Sequence, residues 1–280
     1  MPELPEVETI ARCLREGDAL YQTTLIGCRV VGVKVLWART LANLIPDEFA
    51  GRIQGQAIQS VGRRGKFLVI RLSTDTLLVH LRMSGDLRLE ATLDSQGTPV
   101  PLQKHDRLSL VFDCWQRLVF NDTRKFGRVW LTEDPKTVLG SLGPEPLEPQ
   151  LTDSQFFSML SHHKRQLKPL LMDQSFLAGM GNIYTDEALH LAKLHPCMTS
   201  DQVSPEASIR LLAAIRSVLQ EGIRRNGASI DWVYRGGDFQ NHLRVYGRSG
   251  QPCPVCGTPV TRLVVGQRGT HICPACQPAP

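Results

Sequence analysis

The N-terminal segment combines an amine with two carboxylates. Removal of Met1, which a small second residue generally permits, would give Pro2 a free secondary amine that can attack a carbonyl-like carbon and form an iminium. Glu3 and Glu6 lie three residues apart, so on a helix they share a face pointing back toward this amine. Two carboxylates there could move its protons. An ordinary helix start is the alternative, because Pro and Glu are both common in a first turn.

Two CxxC pairs near the C-terminus predict a zinc site. Its ligands would be Cys253, Cys256, Cys273 and Cys276. Four thiolates close a tetrahedral site and leave no position for substrate, so the metal would be structural and would replace the core that about 40 residues cannot form alone. Unligated thiols and a redox dithiol are the alternatives. Between the pairs, Arg268 lies at a predicted hairpin tip, where it could enter a nucleic-acid groove or stay a solvated turn residue.

Three turns carry residues suited to nucleic acids. The segment Gly-Met-Gly-Asn-Ile at 179–183 predicts a turn into a helix, with Asn182 as its N-cap, and such a start can bind phosphate through backbone N–H groups. A plain connection between two helices is the alternative. The turns at 80–83 and 124–127 place Met83 and Phe126 beside basic residues, where either could wedge between stacked bases or simply pack in the core.

The elements that must position these residues change character along the chain. Apolar spacing predicts a helix over 2–14 that stops at Gly17. Strands are then predicted at 25–38, 56–72, 76–89, 107–113, 117–121 and 128–132. Consecutive strands without intervening helices favour an antiparallel sandwich or barrel. After an acidic, proline-rich segment that indicates a linker, helices are predicted at 153–161, 168–177, 183–193 and 205–225.

Composition and charge indicate a globular protein with a polyanionic partner. The chain has 280 residues, 42% hydrophobic and 21% charged, with a net charge of +5. The region 207–280 contains nine Arg and three acids, a concentration that suits a polyanion, although a solvated basic face is the alternative. No apolar run approaches the ~18 residues of a membrane span, and the N-terminus does not resemble a signal peptide. The four isolated cysteines are expected to be core residues: Cys13, Cys28, Cys114 and Cys197.

Seen together, these segments resemble the bacterial formamidopyrimidine-DNA glycosylases (Fpg, MutM) of the Fpg/Nei DNA-repair superfamily, and the resemblance spans nearly the whole chain. The segments that carry it are PELPEVE at 2–8, GKF at 65–67, HLRM at 80–83, DTRKFG at 122–127, LLMD at 170–173, GNIY at 181–184, VYGR at 245–248 and the terminal cysteines. It implies an α+β multidomain fold in which DNA lies in a cleft. The implied domains are a helix plus antiparallel β-sandwich (1–134), a linker (135–152), a helix–two-turns–helix domain (153–240) and a four-cysteine zinc ribbon (241–280).

The resemblance also implies a chemistry for the N-terminal segment. Pro2 would attack C1′ of a damaged nucleotide flipped out of the duplex. Glu3 would assist ring opening and proton transfer, and Glu6 would support proton handling. The resulting iminium permits β,δ-elimination, so that the strand is cut on both sides of the lost nucleoside. Lys66 and Arg268 would complete the catalytic group.

Further positions match the DNA contacts of the family. Phosphate contacts are implied for Lys66, Lys168, Asn182 and Arg268, with Tyr184 beside them. The residues that would fill the gap left by the flipped base are Met83, Arg124 and Phe126. His80, in the same segment as Met83, is also implied as a DNA-binding residue. Arg124 would face the orphaned cytosine, because a guanidinium can donate to its acceptors. All three gap-filling positions favour the branch specific for oxidised purines.

One segment departs from the sequence pattern of the family that this chain resembles. The loop that caps 8-oxoguanine in the family corresponds to 231–240, which is shorter here by about five residues. Formamidopyrimidines, abasic sites and 8-oxoguanine are therefore the expected lesion range, with 8-oxoguanine the open case. The alternatives are the same chemistry aimed at abasic sites or oxidised pyrimidines, and a non-catalytic protein that binds damaged DNA. The expected partner is damaged double-stranded DNA, and the expected state is a cytoplasmic, nucleoid-associated monomer with one structural zinc ion.

Overall fold

The computed structural model describes residues 1–17, 24–229 and 236–280. By their internal contacts these residues form two units. Unit 1 contains the described residues of 1–2 and 6–140, and unit 2 contains 3–5, 141–229 and 236–280. The boundary between Gly140 and Ser141 falls inside the segment predicted as a linker, which also contains a short helix over Lys136–Leu139. Among the described residues, no helix is both long and apolar enough to cross a membrane.

Helix α1 runs from Leu4 to Glu16, two residues later at each end than predicted. Its apolar residues bury one face in the core of unit 1, with Val7 and Ala11 fully inaccessible to solvent. The helix stops as predicted at Gly17, which has φ +82° and donates its N–H to the Cys13 carbonyl at 2.9 Å. Glycine suits this C-terminal position because it has no Cβ to clash at positive φ.

Unit 1 is built on two antiparallel four-stranded sheets, as the strand pattern predicts. One has the order β1-β6-β7-β5 and the other β2-β3-β4-β8. The strands are β1 (Val30–Val35), β2 (Ile58–Arg64), β3 (Phe67–Leu72), β4 (Thr76–His80), β5 (Gly85–Ala91), β6 (Asp106–Phe112), β7 (Gln116–Asp122) and β8 (Arg128–Thr132). Leu, Ile, Val and Phe side chains from both sheets form one buried cluster together with α1.

Several predicted boundaries in unit 1 are wrong. The segments 56–72 and 76–89 each contain two strands, separated by turns at Gly65 (φ +56°) and Arg82 (φ +55°). The predicted strand 25–38 is shorter, and a 3-10 turn occupies Ala38–Thr40. Helix α2 (Pro46–Ile53) was not predicted, because eight residues give too little periodicity to detect.

The expectation that the four isolated cysteines are core residues is confirmed for Cys28, and Cys114 packs against the same core, whereas Cys13 and Cys197 are only partly buried. The pairing of the first two was not predicted. Cys28 and Cys114 form a disulfide, with Cα atoms 5.8 Å apart. They flank strands β1 and β6, whose antiparallel register places Val30 opposite Phe112. The two cysteines are 86 positions apart in sequence, so their pairing follows from strand order and could not be predicted from spacing.

Unit 2 contains the main helices and the cysteine-rich hairpin. Its elements are α4 (Asp153–Ser161), α5 (Leu167–Met172), α6 (Asn182–Ala192), α7 (Pro205–Arg224), 3-10 turns at Ser200–Gln202 and Phe239–His242, and strands β9 (Thr261–Val265) and β10 (Arg268–Ile272). Helix α3 is the short Lys136–Leu139 helix of unit 1. The predicted helix 168–177 ends early because the Asp173 carboxylate accepts the Ser175 N–H at 3.0 Å and turns the chain.

Candidate functional site

The start of α6 receives the carboxylate of Glu3. Glu3 is 2% exposed, and its Oε1 accepts the backbone N–H of Ile183 at 3.0 Å. The first N–H groups of a helix lack partners within the helix and carry partial positive charge, so a carboxylate here is both hydrogen-bonded and electrostatically favoured. The Leu4 N–H also donates to the Gly179 carbonyl at 3.1 Å. The residues after Pro2 are therefore fixed against the turn that begins α6.

Two glycines allow this close approach. A Cβ on Gly181 would lie 2.3 Å from the Glu3 carboxyl carbon, and one on Gly179 would lie 2.6 Å from a Leu4 methyl group. Gly179 also has φ +98°, a conformation that strains other residues. The glycines predicted to form a phosphate-binding turn thus also make room for a predicted catalytic carboxylate.

The prediction that Asn182 is the N-cap of α6 is wrong. Gly181 occupies the cap position and Asn182 is the first helical residue. The Asn182 side chain instead extends to the hairpin, where Nδ2 donates to the Gly269 carbonyl at 3.2 Å. Its Oδ1 is buried and accepts no hydrogen bond from the described part of the chain. The amide therefore links the helix start to β10 rather than closing the helix on itself.

Lys168, on α5, reaches the same Gly269 carbonyl as Asn182. Its side chain is fully buried, and Nζ donates to Asp186 Oδ1 at 2.6 Å and to the Gly269 carbonyl at 3.0 Å. Burial lowers the pKa of Lys168, and the carboxylates of Asp186 and Glu3 oppose that shift. Asp186 also accepts the His271 backbone N–H at 2.9 Å. We call Lys168, Asn182 and Arg268, together with Asp186, which binds Lys168, the cradle.

Arg268 and Tyr184 differ in accessibility within unit 2. Arg268 is the first residue of β10 and is exposed beside the hairpin turn, close to its predicted position. Tyr184 is fully buried and stacks on Phe239, with ring centroids 5.0 Å apart. A Cβ on Gly222 would lie 2.5 Å from the Tyr184 ring, so α7 also packs closely on it. The DNA contact assigned to Tyr184 remains a prediction.

The four predicted zinc ligands form one cluster. Their sulfur atoms all lie within 4.8 Å of one another, and recorded Sγ–Sγ distances are 3.4, 3.6 and 4.0 Å. A tetrahedral zinc ion with bonds of about 2.3 Å would place its sulfurs about 3.8 Å apart, so these residues fit the metal. Cys253 and Cys273 are buried. Four thiolates would enclose the ion, more than balance its charge and supply a structural link, with no open position for substrate.

In unit 1, one carboxylate organises the two loops that carry the predicted gap-filling residues. Asp122 is 1% exposed at the end of β7. Its Oδ2 accepts the Gly127 N–H at 2.7 Å, and its Oδ1 accepts the Arg124 N–H at 3.1 Å and the Ser84 hydroxyl. A Cβ on Gly127 would lie 2.3 Å from the Phe120 ring, so only glycine fits there. Asp122 therefore ties the 81–84 and 123–127 loops together.

The tips of these loops are open to solvent. Met83 is 41% exposed and Phe126 is 48% exposed, which excludes the alternative that they are core residues. The Arg124 guanidinium lies 5.0 Å from the centre of the Phe126 ring, within range of a cation–π contact. We call Met83, Arg124 and Phe126 the wedge.

His80 and Lys66 lie at the base of these loops. His80 is 7% exposed, packs edge-on against Phe67 with centroids 4.6 Å apart, and accepts the Arg82 N–H on Nδ1 at 3.1 Å. Burial and the nearby charges of Arg82 and Lys66 lower its pKa to about 3, so the imidazole is neutral. Lys66 follows the Gly65 turn and is 5% exposed. Their proposed DNA contacts remain predictions.

Pro2 and Glu6 are both buried and are grouped with unit 1. Met1, 47% exposed, precedes Pro2, so the Pro2 nitrogen belongs to a peptide bond until Met1 is removed. Because the free amine exists only after that removal, the amine chemistry of Pro2 remains a prediction.

Asp122 and Asp186 are the organising residues that sequence reasoning missed. Asp186 could have been noticed because it lies four residues after Asn182, on the same face of α6.

Comparison with known proteins places the whole chain in one family. Family models match "Formamidopyrimidine-DNA glycosylase N-terminal domain" at residues 1–129, "Formamidopyrimidine-DNA glycosylase H2TH domain" at 142–233 and "Zinc finger found in FPG and IleRS" at 250–279. The formamidopyrimidine-DNA glycosylases of Protochlamydia amoebophila and Herpetosiphon aurantiacus are 42% and 41% identical, each alignment covering 99% of this chain and 99% and 100% of the relative.

Solved structures of the same family also match this chain. A Lactococcus lactis FPG mutant bound to DNA containing Fapy-dG matches this chain with a TM-score of 0.89 and 34% sequence identity. MutM bound to DNA containing carbocyclic 8-oxo-G matches it with a TM-score of 0.88 and 35% sequence identity. Each comparison covers 99% of this chain and 100% of the other. Fold and site together define a DNA glycosylase of base excision repair. The chain belongs to the formamidopyrimidine-DNA glycosylase (Fpg) family.

Proposed function

We propose that this glycosylase is bifunctional: it excises oxidised purines and then cuts the strand as an AP lyase, through an iminium on Pro2. The observation that supports this most directly is the position of Glu3. Its buried carboxylate follows Pro2 in the chain and bonds to the N–H of Ile183, beside the Asn182 and Lys168 side chains that converge on Gly269. The proposed proton-transfer group and two of the proposed phosphate contacts therefore lie close to the start of α6.

The proposed reaction begins once Met1 has been removed. The Pro2 nitrogen attacks C1′ of the flipped nucleotide, the bond from C1′ to the base breaks, and the base leaves with a proton. Glu3 transfers a proton as the sugar ring opens, and the C1′–nitrogen bond becomes an iminium. Loss of a C2′ proton then expels the 3′ phosphate, and loss of a C4′ proton expels the 5′ phosphate. Water finally hydrolyses the iminium, which releases the sugar fragment as an aldehyde and frees the Pro2 amine. Glu6 supports these proton movements.

The remaining proposed contacts hold the DNA during this reaction. Lys66, Lys168, Asn182 and Arg268 bind the backbone phosphates around the lesion, while the wedge fills the space left by the flipped base and Arg124 faces the orphaned cytosine. His80 and Tyr184 complete the DNA-binding group by supporting these positions. We propose that the enzyme acts as a cytoplasmic monomer that associates with the nucleoid and needs no membrane.

The lesion range depends on the segment around 231–240. Residues 231–235 of that segment lie outside the described residues. We propose formamidopyrimidines and abasic sites as substrates, together with 8-oxoguanine. DNA containing Fapy-dG, carbocyclic 8-oxo-G and an abasic site is bound in the solved relatives, which supports this range. The second candidate, chemistry aimed mainly at abasic sites, is favoured only by the length of this loop.

Borohydride trapping tests the proposal. Three duplexes would carry 8-oxoguanine, a formamidopyrimidine or an abasic site opposite cytosine, and reduction would convert each iminium to a permanent protein–DNA bond. We expect all three to trap, Pro2→Gly to lose base excision sharply, and Glu3→Gln to be slower by about a hundredfold or more. Glu8→Gln is the matched control, because the Glu8 carboxylate pairs with Arg63 at 2.9 Å and has no role in the proposed reaction.

The pattern of trapping distinguishes the alternatives. Trapping of the formamidopyrimidine and abasic duplexes alone would restrict the range and exclude 8-oxoguanine. Trapping of the abasic duplex alone would favour the second candidate. No adduct on any duplex, with loss of Met1 verified by mass spectrometry, would overturn the iminium mechanism and favour a non-catalytic protein that binds damaged DNA.

A further inference from the structure

Helix α6 carries a histidine that faces the cysteine cluster from outside it. His190 is 2% exposed, and its Nε2 lies 3.4 Å from the Sγ of Cys253. Cys253 is itself 3% exposed. The group of ligand atoms that can close around one ion contains the four sulfurs and not His190. Because four thiolates already complete a tetrahedral site, the imidazole is placed to act on a ligand rather than on the metal.

We infer that His190 is a positioning residue for the zinc site, whose Nε2–H donates a hydrogen bond to the thiolate of Cys253. A thiolate can only accept, so Nε2 must carry the proton. The other ring nitrogen agrees with this tautomer, because Nδ1 is buried and has no hydrogen-bond partner in the described part of the chain. The opposite tautomer would bury an unsatisfied N–H at Nδ1 and direct a lone pair from Nε2 at the thiolate.

This bond completes a row of contacts from one helix to the cysteine-rich segment. Asp186 accepts the His271 N–H of β10 at 2.9 Å, and Glu187 accepts the Val245 N–H at 2.9 Å. His190 lies one turn further along the helix and reaches the first CxxC pair through Cys253. The zinc site is thereby held in register with α6, whose first residue, Asn182, belongs to the cradle.

The inference has a chemical consequence for the metal. A hydrogen bond to a coordinated thiolate withdraws electron density from sulfur, so it lowers the energy of the sulfur lone pairs and makes the thiolate a poorer nucleophile. Partners of metal ligands commonly change metal affinity by about 10–100-fold when they are removed. His190 should therefore slow the chemical attack that releases zinc, in addition to orienting Cys253.

The first test uses two variants and a control in the full chain. His190→Phe keeps a planar ring without the donor, His190→Gln restores an N–H, and His162→Phe removes an exposed histidine at the end of α4. After replacement of zinc by Co(II), we expect the sulfur-to-cobalt charge-transfer band of His190→Phe to shift to longer wavelength, because the sulfur lone pairs rise in energy. The bands of His190→Gln and His162→Phe should stay near the wild-type position.

The second readout is zinc release during alkylation by excess iodoacetamide, followed with a chromophoric chelator. Each alkylation forms a sulfur–carbon bond and expels iodide. We expect release about tenfold faster in His190→Phe and close to the wild-type rate in the other two variants. A wild-type band and release rate in His190→Phe would overturn the inference, as would a His190→Gln variant that behaves like His190→Phe.

A measurement on the wild-type protein keeps the test decisive if the variants fail to fold. The ¹⁵N shifts of the His190 ring in the zinc-loaded chain report which nitrogen carries the proton. Protonated Nε2 with unprotonated Nδ1 is the expected result. Protonation at Nδ1 alone would overturn the inference.

Discussion

The cradle and the wedge are both proposed to contact DNA, yet they are built in opposite ways. Lys168 is fully buried, and its ammonium group is bound to a carboxylate and a carbonyl. Phe126 is 48% exposed, although the loop beneath it is fixed by Asp122. Within the cradle, Lys168 and Asn182 have polar contacts to other residues of unit 2, whereas Arg268 is exposed at the hairpin turn. The wedge presents apolar surface that no described residue of the protein covers.

This difference follows from the chemistry of the two tasks. A phosphate is recognised by donors at fixed positions, and fixing them in advance lowers the entropy lost on binding. A side chain that enters a base stack gains its energy only when the stack covers it. Substitution of Lys168 in the cradle should therefore affect stability as well as binding, whereas substitution at the tip of the wedge should affect binding alone.

The largest expected effect is that of Lys168→Met. The substitution leaves the buried Asp186 carboxylate without its cation, and breaking a buried pair in this way costs about 3–5 kcal/mol. The Gly269 carbonyl also loses a donor, although Asn182 still donates to it. Urea unfolding at neutral pH, followed by circular dichroism, measures the loss of unfolding free energy.

Lys164→Met is the matched control, because Lys164 is exposed and should change stability by less than about 0.5 kcal/mol. The double variant Lys168→Met with Asp186→Leu should recover part of the loss, since it removes the stranded charge. Equal stabilities for Lys168→Met and Lys164→Met would mean that the cradle is not preassembled, and the contrast with the wedge would fail.

The pH dependence of the unfolding free energy tests whether His80 is buried at the base of the wedge. Its pKa is about 3 in the folded chain and near 6.5 when unfolded, so the unfolded state binds a proton first as the pH falls. The stability that the neutral ring contributes is complete above pH 6.5 and is lost toward pH 3, at about 1.4 kcal/mol per pH unit. The wild type should therefore lose about 3 kcal/mol more than His80→Asn between pH 6.5 and 4.

His80→Asn is a suitable reference, because Asn Oδ1 can replace Nδ1 as the acceptor for the Arg82 N–H. Unfolding by urea at several pH values gives the two slopes, and groups shared by both proteins cancel in the difference. Parallel pH profiles would show that His80 titrates normally. The base of the wedge would then be accessible to solvent, unlike the buried cradle.

The sequence predicted elements well where a single local signal determines them. Helix α4 occupies its predicted range, and α7 ends at Arg224, one residue before its predicted end. Both begin after a Thr or Ser that caps the first turn. The zinc cluster was predicted in full because the chemistry of four thiolates is contained in two short motifs.

The disulfide and the missed contacts of the candidate site depend on residues distant in sequence. Asp122 acquires its role because β5 and β7 bring Ser84 near it, and the disulfide forms because β1 pairs with β6. The Asn182 error has the same origin: its side chain bonds to Gly269, 87 positions away, instead of to its own helix. Local propensity could not anticipate these partners, because tertiary contacts decide them.

The smallest expected effect concerns the tip of the wedge. Phe126→Ala should leave the unfolding free energy within about 0.5 kcal/mol of wild type, because Phe126 is 48% exposed at a loop tip. It should weaken binding to lesion-containing DNA by about tenfold more than binding to plain duplex, since stacking on bases is worth about 1–3 kcal/mol. Titration of both duplexes at one fixed salt concentration measures this ratio.

The comparison of two duplexes is essential, because phosphate contacts contribute to both affinities and cancel in the ratio. Phe126→Leu should retain part of the discrimination, as an apolar side chain can still enter the step. Equal losses on both duplexes would show that Phe126 contacts DNA without wedging. A loss of stability with no change in the ratio would show instead that its exposed ring supports the loop, and the wedge would then be a structural element like the cradle.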